Sequence, residues 1–134
     1  MDNKILLVVD DEINIGNSVK RSLSLAGYTV FTAHSGQEGL DILEHQNIPV
    51  IICDQLMPHM TGTEFLTKVR TLYPNTVRII FTAYAEFETL SKALDKGDIH
   101  RVVPKPWEEE YLIKYLTPAF EQAENPNEQN TTDS

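Results

Sequence analysis

The chain has a single cysteine, Cys53, in 134 residues. It can form no internal disulfide and no cysteine-based metal site, so a reducing compartment is its natural setting. Basic residues are also scarce: 11 lysines and arginines stand against 20 aspartates and glutamates, a formal net charge of −9. Nucleic-acid binding needs a basic surface to neutralise phosphates, which excludes that role for this domain. Long apolar runs are missing as well. The run nearest the amino terminus, Ile5 to Val9, is too short for a signal-peptide core or a membrane span. The expectation is a soluble, cytoplasmic protein with no membrane partner. No internal repeat is present. With 41% hydrophobic residues, the chain can fill one core and is too short for two ordinary domains.

What the chain does contain is an alternation of short apolar runs with amphipathic stretches. Val50-Ile51-Ile52-Cys53 reads as a strand buried on both faces, because a half-exposed strand would alternate apolar with polar residues. Cys53 is then a packing residue, and the run ends on a carboxylate, Asp54. Met57-Pro58 downstream forces extended backbone and a loop. Lys4 to Val9 is a second such strand, closed by Asp10, Asp11 and Glu12. Ile15, Val19, Leu23 and Ala26 recur at helical spacing, with Gly27 placed for a C-terminal cap. Tyr28 to Ala33 mixes Val and Phe with Thr and reads as an edge strand. Ser35 with Glu38 is a capping box for a second helix, carried by Leu40 and Leu43 to about Glu44. Thr61 with Glu64 is another, opening a third helix whose inner face is Phe65, Leu66, Val69 and Leu72.

Val77 to Phe81, apolar except for Arg78, makes a fourth strand ending at Thr82-Ala83. Phe87, Leu90 and Leu94 give a weaker fourth helix that stops near Gly97. Ile99 to Val103 is a short fifth strand. After Pro104-Lys105-Pro106-Trp107, a final helix carries Leu112, Leu116, Ala119 and Phe120. Residues 1–124 read as one domain, and 125–134 as a polar tail or the start of a linker.

Five strand-helix units in strict alternation predict an α/β fold: a doubly wound, five-stranded parallel sheet of flavodoxin-like order 2-1-3-4-5, with five helices. Ligand sites in such sheets lie at the carboxyl ends of the strands where the order reverses, here between strands one and three. Asp10 and Asp11 end the first of these and Asp54 the second. Two carboxylates about 4 Å apart repel by roughly 4 kcal/mol at an effective dielectric near 20, so three around one crevice call for a cation. Mg²⁺ suits an open oxygen site that leaves room for water and a phosphoryl oxygen. Thr82 and Lys105 should reach the same crevice. Either alone reads as an ordinary strand-end hydroxyl or a solvated lysine. Together with a divalent cation they can hold a transferring phosphoryl group, with a carboxylate as acceptor.

This set of residues resembles the response-regulator receiver domain over roughly residues 3 to 122. The resemblance rests on Asp10-Asp11, on Asp54 with Met57-Pro58 and Gly62, on Thr82-Ala83, and on Lys105-Pro106, all in that family's order and spacing. It implies that Asp54 accepts a phosphoryl group from a histidine kinase or phosphotransfer protein. Asp11, Asp54 and the Leu56 backbone carbonyl would hold Mg²⁺, with Asp10 acting through water. Lys105, Thr82 and the Ala83 amide would contact the phosphoryl oxygens, and the Lys105-Pro106 bond would be cis. The family also implies that the domain is no conventional enzyme, catalysing only its own phosphorylation and dephosphorylation. It implies control of an output domain or effector, and a homodimer through the face of helix four, strand five and helix five. Leu56 and Tyr84 would flank the approach of water to the phosphoryl group.

One departure stands out. Receivers often carry Tyr or Phe three residues before the lysine, and here that position is Val102. Two alternatives accompany this reading. One is a receiver-like interaction module that works without phosphorylation. The other, a haloacid-dehalogenase-type phosphohydrolase, wants Asp-x-Asp after strand one, a spacing Asp10-Asp11-Glu12 lacks.

Overall fold

The computed structural model describes residues 4–82, 87–105 and 108–124. Along the chain lie β1 (Ile5–Val9), α1 (Ile13–Leu25), β2 (Thr29–Ala33), α2 (Gly36–His45), β3 (Val50–Asp54), α3 (Gly62–Leu72), β4 (Val77–Thr82), α4 (Phe87–Lys96), β5 (Arg101–Pro104) and α5 (Glu109–Glu124). The strands form one parallel sheet of order β2-β1-β3-β4-β5, as the alternation predicts. β3 and β4 are buried along their whole length, while β2 and β5 at the edges are partly exposed. No helix among the described residues is long and apolar enough to cross a membrane.

Side chains alternate across the sheet and so build two cores. Leu6, Val8, Val50, Ile52, Ile79 and Phe81 pack on α1 and α5 through Val19, Leu23, Leu112, Leu116 and Phe120. Leu7, Val9, Ile51, Cys53 and Ile80 pack on α2, α3 and α4 through Leu43, Phe65, Leu66, Val69 and Leu90. The Ser35 hydroxyl accepts from Glu38 N and the Thr61 hydroxyl from Glu64 N, but only Thr61 with Glu64 closes a full capping box, because Glu38 reaches one residue further back than the N-cap. The carboxylates answer them, Glu64 accepting from Thr61 N and Glu38 from His34 N. Gly27 and Gly97 end α1 and α4 at φ 98° and 83°, the left-handed region that glycine enters without strain.

The fifth strand is displaced from the sequence expectation of Ile99 to Val103. Asp98 N and Ile99 N still close the end of α4 on Ala93 O, so the ladder to β4 begins only at Arg101. Pro104 is admitted at the other end because β5 is an edge strand.

Arg78, read in the sequence only as an interruption, is 3% exposed. Its Nε donates to Asp98 O at 2.8 Å, its Nη1 to Thr76 O at 2.8 Å and Pro74 O at 3.2 Å, and its Nη2 to Gly97 O at 2.9 Å. Arg70 adds bonds to Lys96 O and the Asp98 carboxylate. Two arginines thus satisfy the carbonyls left over at the end of α4, where positive charge is also favoured by the helix dipole. Burial, with Arg70 acting in the same direction against Asp98, pushes the Arg78 guanidinium down to about 10, still charged at neutral pH. Arg78→Met would leave buried carbonyls without donors. It should cost about 3 kcal/mol and lower Tm by roughly 10 °C. Calorimetry of the variant checks this, and a Tm within a degree or two of wild type would refute it.

Candidate functional site

The parallel register brings the carboxyl ends of β1, β3 and β4 to one edge. Val9 lies opposite Cys53, so Asp10 and Asp54 emerge side by side. Asp54 lies opposite Phe81, one residue before Thr82. Thr82 lies opposite Pro104, and the amide of Lys105 donates to Thr82 O at 2.9 Å. The chain is thereby turned so that the lysine stem runs back over the Phe81 ring, its Nζ 4.9 Å from the ring centroid.

One oxygen from each of Asp10, Asp11 and Asp54 lies within 4.8 Å of the others. Asp10 is fully buried; its Oδ1 accepts from Glu12 N at 2.9 Å. Its Oδ2 is 3.3 Å from Lys105 Nζ, and Asp54 Oδ1 is also 3.3 Å from the same ammonium. Asp11 is exposed. Three carboxylates therefore face one ammonium, and two negative charges remain uncompensated.

Burial first, and then this arrangement of charges, sets the protonation energetics. Burial pushes the Asp54 carboxyl above its usual range; Lys105 opposes the shift and Asp10 adds to it. Burial disfavours the Lys105 ammonium, but Asp10 and Asp54 outweigh it and hold the group above its usual range. One ammonium shared between two carboxylates satisfies itself better than it satisfies either partner. Burial, reinforced by Asp54 and Asp10, pushes the Cys53 thiol well above its ordinary value, leaving it a neutral packing group.

The donor set of carboxylate oxygens with a solvent-facing side fits a hard divalent cation such as Mg²⁺, whose charge matches the two that remain. Leu56, after Asp54, is 58% exposed at the rim. Val102 lies opposite Ile80, partly buried, and packs against the core beneath α4. The expectations for Ala83, Tyr84 and the Lys105-Pro106 bond lie outside the described residues, as does the stretch 125–134.

The sequence predicts a loop after Asp54 but not how that loop is fastened to α3. Gly62 N donates to Gln55 O at 3.0 Å, and His59 turns the chain at φ 69°. A Cβ on Gly62 would lie 2.3 Å from Asp54 O, so the start of α3 rests directly on the backbone of the aspartate. Only the bare Gly62 in the sequence hinted at this.

The response regulator receiver domain model matches residues 6–117. The chain belongs to that family: it is a receiver domain of the two-component response regulators. Hydrogenase transcriptional regulatory protein HoxA of Cupriavidus necator is 36% identical over 116 residues, covering 87% of this chain and 24% of that protein. The CheY-like receiver domain protein of Methanospirillum hungatei superposes with a TM-score of 0.86 at 30% identity, covering 93% of this chain and 99% of that one. A structure of adenylate cyclase from Rhodopirellula baltica superposes at 0.89 with 29% identity, covering 98% and 97%. Family membership displaces the haloacid-dehalogenase alternative.

The raised Asp54 carboxyl carries a sign. The folded state holds this proton more tightly than the unfolded chain, so the contribution is stabilising at low pH and is lost as pH rises through the folded value. At neutral pH, without divalent cations, ionised Asp54 is a net burden. Asp54→Asn should raise Tm there, and the gain should fade as pH falls toward the ordinary carboxyl value of about 3.9. Melting curves across that range decide it; a neutral-pH Tm below wild type would mean that Lys105 more than compensates the charge.

Proposed function

We propose that this receiver domain is a phosphorylation switch, with Asp54 accepting a phosphoryl group from the phosphohistidine of a histidine kinase or phosphotransfer protein. The observation that carries this reading is the meeting of Asp10, Asp11, Asp54 and Lys105 at the point of the sheet where strand order reverses. An Asp54 carboxylate oxygen attacks phosphorus, the new O–P bond forms as the P–N bond breaks, and the electron pair leaves with the imidazole.

Asp11, Asp54 and the Leu56 carbonyl would hold Mg²⁺, with Asp10 acting through water, and the ion would supply charge neutralisation at the carboxylates and the phosphoryl oxygens. The rest falls to the chain's own residues. Lys105 stands at the acceptor before the reaction and moves its charge onto the phosphoryl oxygens as Asp54 gives up its own. Thr82 and the Ala83 amide donate to those oxygens in the product. Val102 is too small and too stiff about χ1 to act as an aromatic switch, so the signal leaves by the segment from Thr82 to Phe87 and the start of α4. The α4/β5/α5 face then acts on an output domain or effector, or pairs with a second copy. The domain itself takes no part in nucleic-acid or membrane binding. Residues 1–124 constitute the receiver unit and 125–134 a tail or linker. The chain spans 24% of the length of HoxA, so the identity of any output belongs to this proposal.

Incubation with a small phosphodonor and Mg²⁺ should add one phosphoryl group to wild type and none to Asp54→Asn, as read by intact mass. A stoichiometric adduct on the variant would overturn the assignment. Leu56 and Tyr84 offer no carboxylate or amide to orient water, so the adduct should decay slowly. A Leu56→Asn, Tyr84→Glu double variant should lose it several-fold faster; equal or slower decay would remove the shielding argument.

A further inference from the structure

Gln55 follows the acceptor directly and is 1% exposed, although it is a polar side chain at the end of an apolar strand. Both polar atoms of its carboxamide are hydrogen-bonded. Oε1 accepts from Thr63 N at 2.9 Å, and Nε2 donates to Thr63 Oγ1 at 3.2 Å. Its backbone carbonyl accepts from Gly62 N at 3.0 Å. The first three amide donors of α3 are therefore all satisfied: Gly62 and Thr63 by Gln55, and Glu64 by Thr61. A helix start is commonly capped by the residue just before it. Here two of the three bonds come from a residue seven positions upstream that also adjoins Asp54.

We propose that Gln55 is a positioning residue for the cation site, a role that rests on the Mg²⁺ reading above. Both ends of its amide-bearing side chain are fixed to α3, and α3 in turn is seated against Asp54 O by the close approach at Gly62. The peptide linking Gln55 to Leu56 is held between these two anchors. Leu56 contributes its backbone carbonyl, which has no side-chain rotamer to adjust. That carbonyl lies in the Leu56–Met57 peptide, so its aim follows from how Gln55 fixes the chain on one side of Leu56 and Met57 fixes it on the other. Met57, which is buried against the α2, α3 and α4 core, holds the far side of the same short segment. Residues that orient a metal ligand without touching the metal typically change affinity by about 10-fold or more when removed.

The test separates this role from simple capping. Gln55→Met keeps the volume and removes both side-chain bonds; Gln55→Asn keeps the amide but is one methylene too short to make them. Thr61→Ala removes the other side-chain cap of α3 and leaves Gln55 in place. Mg²⁺ is titrated against each full chain, with tryptophan emission and Tm recorded, and amide exchange is measured at residues 56 and 57 without Mg²⁺. Both Gln55 variants should bind Mg²⁺ about 10-fold more weakly and exchange faster at 56 and 57. Thr61→Ala should lose Tm to a similar degree yet retain wild-type affinity. Unchanged affinity in Gln55→Met, or equal weakening in Thr61→Ala, overturns the proposal. If wild type itself gives no Mg²⁺ response, the cation reading fails. Exchange at 56 and 57 then decides separately whether Gln55 holds the loop, and unchanged exchange in both Gln55 variants would overturn that too.

Discussion

A lysine ammonium held 3.3 Å from each of two buried carboxylates is the interaction on which the rest of this structure turns. Placing Asp10 and Asp54 together without water is costly, and a single ammonium offsets only part of that cost. The fold brings the three groups together through separate devices. Parallel pairing of β1 with β3 sets the two aspartates side by side, and the short ladder from β4 to β5 returns Lys105 across Phe81. Neither works alone: Lys105 without the sheet would be a solvated side chain, and the sheet without Lys105 would end in repelling carboxylates. Asp11, exposed at the mouth, adds a third negative charge that nothing among the described residues neutralises at short range. A divalent cation and a phosphoryl group, as proposed above, would relieve that surplus.

Around this charged edge the structure is unusually firm at two places. At the site, the start of α3 is fastened to Gln55 and rests on the backbone of Asp54. At the opposite end of the sheet, Arg70 and Arg78 gather the last carbonyls of α4. The carboxyl end of α4 is thus tied to the scaffold by hydrogen bonds that leave little freedom. A signal passing along the segment from Thr82 to Phe87 would act on a helix whose far end is fixed, so rotation about that end costs less than translation of the whole element.

Much of the architecture was legible because its causes are local. Unbroken apolar runs at β1 and β3 require burial on both faces, and capping-box signatures at Ser35 and Thr61 mark helix starts without reference to anything distant. The carboxylates were legible because topology alone sends the ends of β1 and β3 to one place. What stayed hidden depends on contacts far apart in sequence. Arg78 looked like a flaw in a strand because its acceptors lie in two turns, one of them nearly twenty residues away. Gln55 carried no signal of its own because its partner, Thr63, belongs to the next helix. The start of β5 shifted for the same reason: the turn after Gly97 completes the closure of α4 before pairing with β4 can begin.

Burial makes the Asp54 charge costly, and Lys105 offsets only part of that cost. Carbon-13 NMR of the aspartate side-chain carboxyls, titrated with pH in Mg²⁺-free protein, measures this directly. The account predicts that Asp54 titrates above the ordinary value of about 3.9, moves higher still in Lys105→Met, and falls when Mg²⁺ is added. A carboxyl that titrates at or below that value in wild type, indifferent to both the lysine and the cation, would contradict it.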